Sequence, residues 1–237
     1  MALQMQKAKT KLKDYGLPKE GMQMARIVRV IDLGLQERQP FQGEVKAPAY
    51  FIRVTFELPK DRIDVDGESR PRWIDTEINL SNHEKSKCFQ YYNTLDPKNK
   101  CNGDWGKLIG TPCQILIAHR ESSQRKMFAN IKNIVPLMEG LEVPALENPT
   151  AVFDVSNPRL EIFESLPEWL QEKIKGNLEY DGSKLQRLVE GSPVPATAST
   201  GRPQDEEAEV DVAARPTVIP EVSLDDVADD FDDDAPF

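Results

Sequence analysis

The chain has 237 residues, with 40 acidic and 30 basic side chains and a formal net charge of −10. No apolar run approaches the ~20 residues that a membrane-spanning helix needs, and residues 1–13 lack the apolar stretch of a secretory signal. Three widely spaced cysteines, an odd number, argue against a disulfide framework and favour a reducing compartment, so we expect a cytoplasmic protein.

Charge is distributed unevenly along the chain. Residues 1–138 carry a net charge of +7, residues 139–191 carry −6, and residues 192–237 contain 13 acidic and only 2 basic side chains. A mildly basic body joined to a strongly acidic segment is the pattern expected of a nucleic-acid binder with its own polyanion, which can compete with DNA for the basic surface.

Residues 1–20 are predicted to form a flexible basic arm. Lysine occupies every second position from Lys7 to Lys13, and the chain then continues through Gly16 and Pro18. Such an arm either contacts a polyanion or only solubilises the N-terminal region, and the pattern fits both interpretations.

From residue 21 to 137 the hydrophobic pattern predicts five strands and one helix. The predicted strands cover residues 24–36, 50–58, 72–80, 113–120 and 126–135. Gly34 marks a bend or bulge in the first strand, and Ser81 with Glu84 forms a capping box that predicts a helix over 82–95. Three strands, a helix and two strands are the order of an OB fold, a five-stranded barrel that binds oligonucleotides.

The second and third predicted strands carry aromatic and basic residues on one side of the sheet. Alternation places Phe51, Arg53 and Trp73 opposite the aliphatic residues, where bases could stack on the rings and arginines could hold phosphates. Alternatively, residues 139–190 fold back and make Phe51 and Trp73 core, but this would also bury the arginines, and an unpaired buried charge is costly. The predicted DNA-binding residues are Phe51, Arg53, Lys60, Arg62, Arg70, Arg72, Trp73, Arg120, Arg125, Lys126 and Phe128.

Six members of this set leave an alternative open, namely Phe128 and the flanking cations Lys60, Arg62, Arg120, Arg125 and Lys126. Phe128 either stacks on a base or packs in the core, and each flanking cation taken alone could be an ordinary solvated charge. The prediction therefore depends on the whole group rather than on any single residue.

Residues 138–191 are predicted to form a helical appendage. Ser165 as the cap, Pro167 in the first turn and Glu168 predict a helix that ends at Gly176. Its apolar face consists of Leu166, Trp169, Leu170 and Ile174. This face either packs on its own domain or contacts a neighbouring protomer on DNA, so self-association on DNA is a further expectation.

The remaining segments are a second helix, a linker and a tip. The helix is predicted over 184–190, and residues 192–224 lack periodicity and are expected to be a disordered linker. Residues 225–237 form an acidic tip. The predicted partner-docking residues are Asp232, Asp233, Asp234, Pro236 and Phe237. A phenyl ring supplies apolar contact and aspartates steer the tip towards positive surfaces, whereas a tail that only aids solubility gains nothing from an aromatic end.

The acidic run ending in Pro236 and Phe237 resembles the tip of bacterial single-stranded DNA-binding proteins, which docks replication and repair partners. Ala235 stands where that tip usually has a larger aliphatic residue. The body lacks the motifs of those proteins, and residues 73–84 and 128–131 look more like phage replication proteins. The chain thus resembles a phage-type single-stranded DNA-binding protein, which implies that it coats single-stranded DNA in replication, recombination or repair in the host cytoplasm and recruits partner proteins.

No metal site, cofactor or catalytic centre is predicted. The soft metal ligands lack any Cys-x-x-Cys pair: His83, Cys88, Cys101, Cys113 and His119. Residues 64–67 mimic part of a calcium loop but fail the rest of its pattern. Two rival functions remain open: a metal-dependent DNA-processing enzyme, and an adaptor that mimics DNA and binds none.

Overall fold

The computed structural model describes residues 16–40, 43–65, 67–122 and 125–191. Most of the basic arm, the linker and the acidic tip lie outside these residues. The docking residues outside them are Asp232, Asp233, Asp234, Pro236 and Phe237. The described part is mainly β, with a five-stranded, strongly curled half-barrel sheet and few helices, which confirms the predicted class.

The half-barrel is built from five long strands. They are β1 (Gly21–Gln36), β2 (Ala49–Val65), β3 (Glu68–Asn79), β4 (Pro112–Glu121) and β5 (Met127–Val135). Their order is β3-β2-β1-β4-β5, and all neighbours are antiparallel. A short strand that the sequence pattern did not predict, β6 (Ala151–Phe153), adds to β1 in parallel. The predicted strands are confirmed, and β2 and β3 extend further into their shared hairpin than expected.

Gly34 confirms the predicted irregularity in β1. The register with β2 shifts between Asp32 and Gly34, and Gly34 has a φ of 73°, in the left-handed region that favours glycine. A Cβ at this position would lie 2.9 Å from Cγ of Asn177, so the glycine also permits close approach of the C-terminal segment.

The helix between β3 and β4, α1 (Lys87–Leu95), begins five residues later than predicted. Ser86 Oγ accepts the backbone N–H of Phe89 at 3.1 Å, so Ser86 rather than Ser81 is the cap. Ser81 Oγ instead accepts the backbone N–H of His83 at 3.3 Å, which stabilises a turn before the helix. A 3-10 helix over Trp105–Leu108 follows α1.

Three short helices follow β6: α2 (Leu160–Ser165), α3 (Glu168–Lys175) and α4 (Lys184–Val189). The helix start predicted at Ser165 is wrong in its cap, because Ser165 ends α2 and its hydroxyl donates to the carbonyl of Ile162. The end of α3 at Gly176 and the position of α4 are confirmed. No helix in the described ranges is long and apolar enough to cross a bilayer.

Two apolar clusters pack against the sheet, one on each side. The first fills the inside of the curl and contains the alternating Ile52, Val54, Phe56 and Leu58 of β2, as predicted. The second lies between the outer side of β1 and the helices α2–α4. Its members are Ile31, Leu33, Phe153, Phe163, Leu166, Leu170, Ile174 and Leu185. The C-terminal helices therefore share a core with the sheet.

Candidate nucleic-acid interface

The outer side of β2 and β3, which the sequence predicted to be open to water, is covered by the C-terminal segment. Phe51 is half-buried and packs against the second apolar cluster. The expectation that Phe51 is exposed is therefore wrong, and the alternative, in which residues 139–190 fold back over it, describes its position. Covering is favourable here because the ring joins a core that α2–α4 complete.

Arg53 is half-buried on this side of the sheet, and its charge is paired. Its guanidinium donates to Asp75 at 2.7 Å and to Glu77 at 3.1 Å, and only 12% of its side chain is exposed. The ring of Trp169 lies over the same guanidinium, with its centroid 4.7 Å from Cζ, and Lys173 Nζ donates to Glu77 at 2.6 Å. The prediction of an open face assumed that covering it would bury an unpaired arginine charge. The carboxylates on β3 pair that charge, so this cost does not arise.

Trp73 is half-buried beside Arg29, a β1 residue that the sequence analysis did not single out. Cζ of Arg29 lies 4.1 Å from the indole centroid, a cation–π distance. Burial lowers the pKa of Arg29, although nearby Asp75 opposes this shift. A register shift between Ile27 and Arg29 moves Arg29 to the outer side, so alternation alone did not identify it.

Residues 143–149, which we call the strap, cross the outer side of the sheet. Glu57 is fully buried, and its carboxylate accepts the backbone N–H groups of Glu147 at 3.0 Å and Asn148 at 2.9 Å. Arg26 donates to the carbonyls of Val143 and Pro144, each at 2.7 Å. The strap is thus fixed at both ends by residues of β1 and β2.

Three of the four predicted cations of the β2–β3 hairpin, all but Lys60, lie beside carboxylates of the protein. Arg62 donates to both carboxylate oxygens of Glu147, at 2.6 and 2.9 Å, and this hydrogen bonding lowers the pKa of the Glu147 carboxyl. Arg70 pairs with the exposed Glu68, and Arg72 Nε lies 3.4 Å from the buried Asp61. Lys60 is exposed.

The β4–β5 hairpin has a different character. Arg120, Arg125 and Lys126 are exposed, and no ion pair within the described ranges involves any of the three. Half-buried Phe128 lies opposite Arg120 in the register, and Lys126 Nζ is 5.5 Å from its ring centroid. We call these four residues the hairpin cluster. It combines exposed positive charge with an aromatic ring, the two features that single-strand binding uses.

Arg125 occupies a special backbone position in this hairpin. Its φ is 60°, in the left-handed region that costs a non-glycine residue conformational energy. A glycine or asparagine would be favoured there. The turn instead presents a cationic side chain to solvent.

No three His, Cys, Asp or Glu side chains in the described part of the chain are arranged to hold a metal ion. The three cysteines are free thiols, and burial raises the pKa of Cys113 to about 12 and that of Cys88 above its usual value. Buried thiols with raised pKa values are poor nucleophiles at neutral pH.

Changing Phe51 to Ala should mainly destabilise the protein. We expect the free energy of unfolding to fall by about 1 to 3 kcal/mol, less than the about 3 to 5 kcal/mol expected for Phe163→Ala, which empties a fully buried site in the same cluster. Denaturant unfolding measures both values. Affinity of folded Phe51→Ala for an oligonucleotide should be unchanged. A stable variant with weakened binding would instead show that Phe51 contacts DNA.

No protein-family model and no curated protein sequence matches this chain. The functional inference therefore depends on the residues and geometry described above. Among these, the exposed cations of the hairpin cluster, Arg120, Arg125 and Lys126, make no ion pair with another residue of the described ranges.

Proposed function

We propose that this protein binds single-stranded DNA without sequence preference and coats it during phage replication or recombination. In this proposal the β-sheet body carries the DNA site, and the acidic tip recruits replication or repair proteins. The role is one of binding, without a catalytic step or a cofactor.

The fold that fits this role is an OB fold. β1 pairs with both β2 and β4, β3 contacts β5 across the gap in the half-barrel, and α1 lies between β3 and β4. This is the order of the OB fold, which binds oligonucleotides through strands 2 and 3 and through the loops after strands 1 and 4. The strap and α3 cover the first of these surfaces here. We therefore assign the DNA contact to the β4–β5 connection.

The observation that carries the proposal is the hairpin cluster. Three exposed cations without carboxylate partners in the described ranges can neutralise phosphates, and the Phe128 ring offers a surface on which a base can stack. Stacking tolerates every base, since each base has a π-face, so the site would not select a sequence.

The acidic tip supports the recruitment part of the proposal from sequence alone. Seven aspartates fall within residues 225–237, together with Phe231 and Phe237. An aromatic anchor within a run of negative charge suits a basic pocket on a partner protein.

Binding of an oligothymidine and of a duplex of equal length, measured by fluorescence anisotropy at about 50 and about 200 mM salt, tests the proposal. We expect preference for the single strand and a slope of log K against log salt of about −2 or steeper, because each neutralised phosphate contributes about −0.7. Equal affinities or a flat salt response would contradict the proposal. Metal-dependent cleavage of the labelled strand would indicate an enzyme, and absence of any binding would favour the adaptor.

A further inference from the structure

The outer side of β4 continues from the hairpin cluster towards the middle of the sheet. Ile115 and Ile117 lie in the apolar cluster inside the curl. Because side chains alternate along a strand, Leu116 and Ala118 lie on the outer side, in line with Arg120. This surface is separate from the outer side of β2 and β3, which the strap and α3 cover.

A bulge in β5 places two asparagines on this same side. The register of β4 with β5 shifts in the middle of the two strands, and the extra residue of β5 is Lys132. Ile131 and Ile134, which lie on either side of the bulge, are both in the inner apolar cluster. Asn130 and Asn133 therefore both lie on the outer side. Strict alternation places only one of the two asparagines there, so the sequence pattern did not identify the pair.

We call Leu116, Ala118, Asn130 and Asn133 the outer track. Leu116 is 36% exposed, and its neighbour on β1, Met22, is 49% exposed, so the two strands share an apolar patch that is open to solvent. Asn133 is also exposed. Its Oδ1 accepts the backbone N–H of the next residue at 2.9 Å, which leaves its NH2 group as a donor for a ligand.

The charge of this surface differs from that of the outer side of β2 and β3. That side carries Glu57, Asp75 and Glu77, and carboxylates repel phosphates. By contrast, β5 contains no Asp or Glu, and the only acidic residue of β4 is Glu121 at its last position. Beyond these strands, Glu20 lies beside the end of β4, where its carboxylate accepts the backbone N–H of His119 at 2.7 Å.

We propose that the DNA strand bound at the hairpin cluster continues along the outer track, so that its bases contact Leu116, Asn130 and Asn133. This inference rests on the proposed function and lengthens its site. The hairpin cluster offers only three cations and one ring, whereas a single OB fold engages about 4 to 16 nucleotides. Four residues of a strand span about 13 Å, so the track extends the site by that length from Arg120 to Leu116.

The residue types of the outer track suit bases rather than phosphates. An asparagine amide carries both donors and an acceptor, so it can bond to the edges of different bases. Leu116 and Met22 offer apolar area to the faces of bases. A DNA strand, rather than a second copy of this chain, is the occupant because three exposed cations at one end of the surface favour a polyanion.

Replacing Asn130 and Asn133 together by Asp tests the amide contacts. Aspartate keeps the oxygen that accepts the N–H of Ile134, so the bulge and the thermal unfolding temperature should be retained. Loss of two donors to DNA should raise the Kd for oligothymidine about tenfold, measured by fluorescence anisotropy. The matched control, Asn93→Asp with Asn157→Asp, adds the same charge at two exposed sites elsewhere. It should change the Kd by about twofold or less, since salt screens charges away from the site.

A second variant adds a cation to the outer track and does not depend on the loss of a contact. Leu116→Lys keeps an apolar stem on the patch and brings an ammonium group to the path of the strand. The slope of log K against log salt should become steeper by about 0.7, because one more phosphate is neutralised. Leu178→Lys is the control, since Leu178 is an equally substitutable leucine that is 49% exposed beside the C-terminal helices. It should keep the wild-type slope.

The outcomes separate this inference from the proposed function. If the wild type does not bind oligothymidine, the proposed function fails. If the wild type binds, but the aspartate variant matches its control and Leu116→Lys matches Leu178→Lys, the outer track is overturned and the proposed function remains. If Leu116→Lys changes the oligomeric state in light scattering and leaves DNA binding unaltered, the surface is a contact between copies of the chain, which also overturns the inference.

Discussion

Replacing Arg120, Arg125 and Lys126 together by Gln should weaken binding to oligothymidine by about 1 to 3 kcal/mol, a factor of roughly 5 to 150. These exposed side chains make no ion pair in the described part of the protein. Their replacement should therefore lower the affinity for DNA and leave the stability of the fold unchanged. The slope of log K against log salt should also become shallower by about 2, since three phosphate contacts are lost. Anisotropy titrations at several salt concentrations measure both quantities.

The matched control removes the same charge from the C-terminal helical segment. Arg159, Lys175 and Lys184 are exposed on or beside the C-terminal helices, so their replacement by Gln changes net charge equally. If only long-range attraction between the protein's net charge and DNA mattered, the two triple variants would lose the same affinity for oligothymidine. Loss of affinity confined to the hairpin variant would localise the contact, whereas equal losses would contradict the assignment of the hairpin cluster.

The side of β2 that faces the core was predictable because its signal is local. Alternation with period two identifies Ile52, Val54 and Phe56 as one side of a strand, and all three are buried inside the curl. The order of strands and helix followed from the same pattern. Boundaries were less predictable, since the start of α1 depends on which of two serines caps it.

What covers the other side of β2 was not predictable from local pattern. Arg53 meets Trp169, and Phe51 meets a cluster formed by α2–α4, more than a hundred residues further along the chain. One signal was nevertheless present. Asp75 and Glu77 alternate on the same predicted side as Trp73, and antiparallel pairing of neighbouring strands brings Glu77 opposite Arg53. Carboxylates in that register are what allows the arginine to be buried.

Because the outer side of β2 and β3 is covered, the candidate DNA site lies on the β4–β5 hairpin instead. The kind of site stays the same, since it still combines cations with an aromatic ring. Arg53, Arg62, Arg70 and Arg72 have carboxylates within 3.4 Å or less, so a DNA phosphate would have to compete with them. Arg120, Arg125 and Lys126 make no ion pair with a carboxylate of the described ranges. The sequence alone does not show which cations form ion pairs in the folded protein. The structure is therefore needed to distinguish these three side chains from the paired arginines.

Deleting Phe237 alone should abolish capture of partner proteins and leave affinity for oligothymidine nearly unchanged. In the proposed function the phenyl ring is the apolar anchor of the tip, and loss of a central aromatic anchor typically costs about 2 kcal/mol or more of binding free energy. All seven aspartates of residues 225–237 remain, so electrostatic competition with DNA is not altered. Pulldown from a host lysate with wild type and variant, beside DNA titrations of both, measures the two effects separately.

Two further variants make this result interpretable. Phe231→Ala removes an aromatic ring from the same acidic run and should retain capture if Phe237 is the specific anchor. Deleting residues 225–237 removes both the anchor and the polyanion, so it should abolish capture and also raise affinity for oligothymidine, most strongly at low salt where screening is weakest. If the Phe237 deletion captures the same proteins as wild type, the tip acts only through its charge. Recruitment would then need a different anchor, while the DNA-binding part of the proposal would be unaffected.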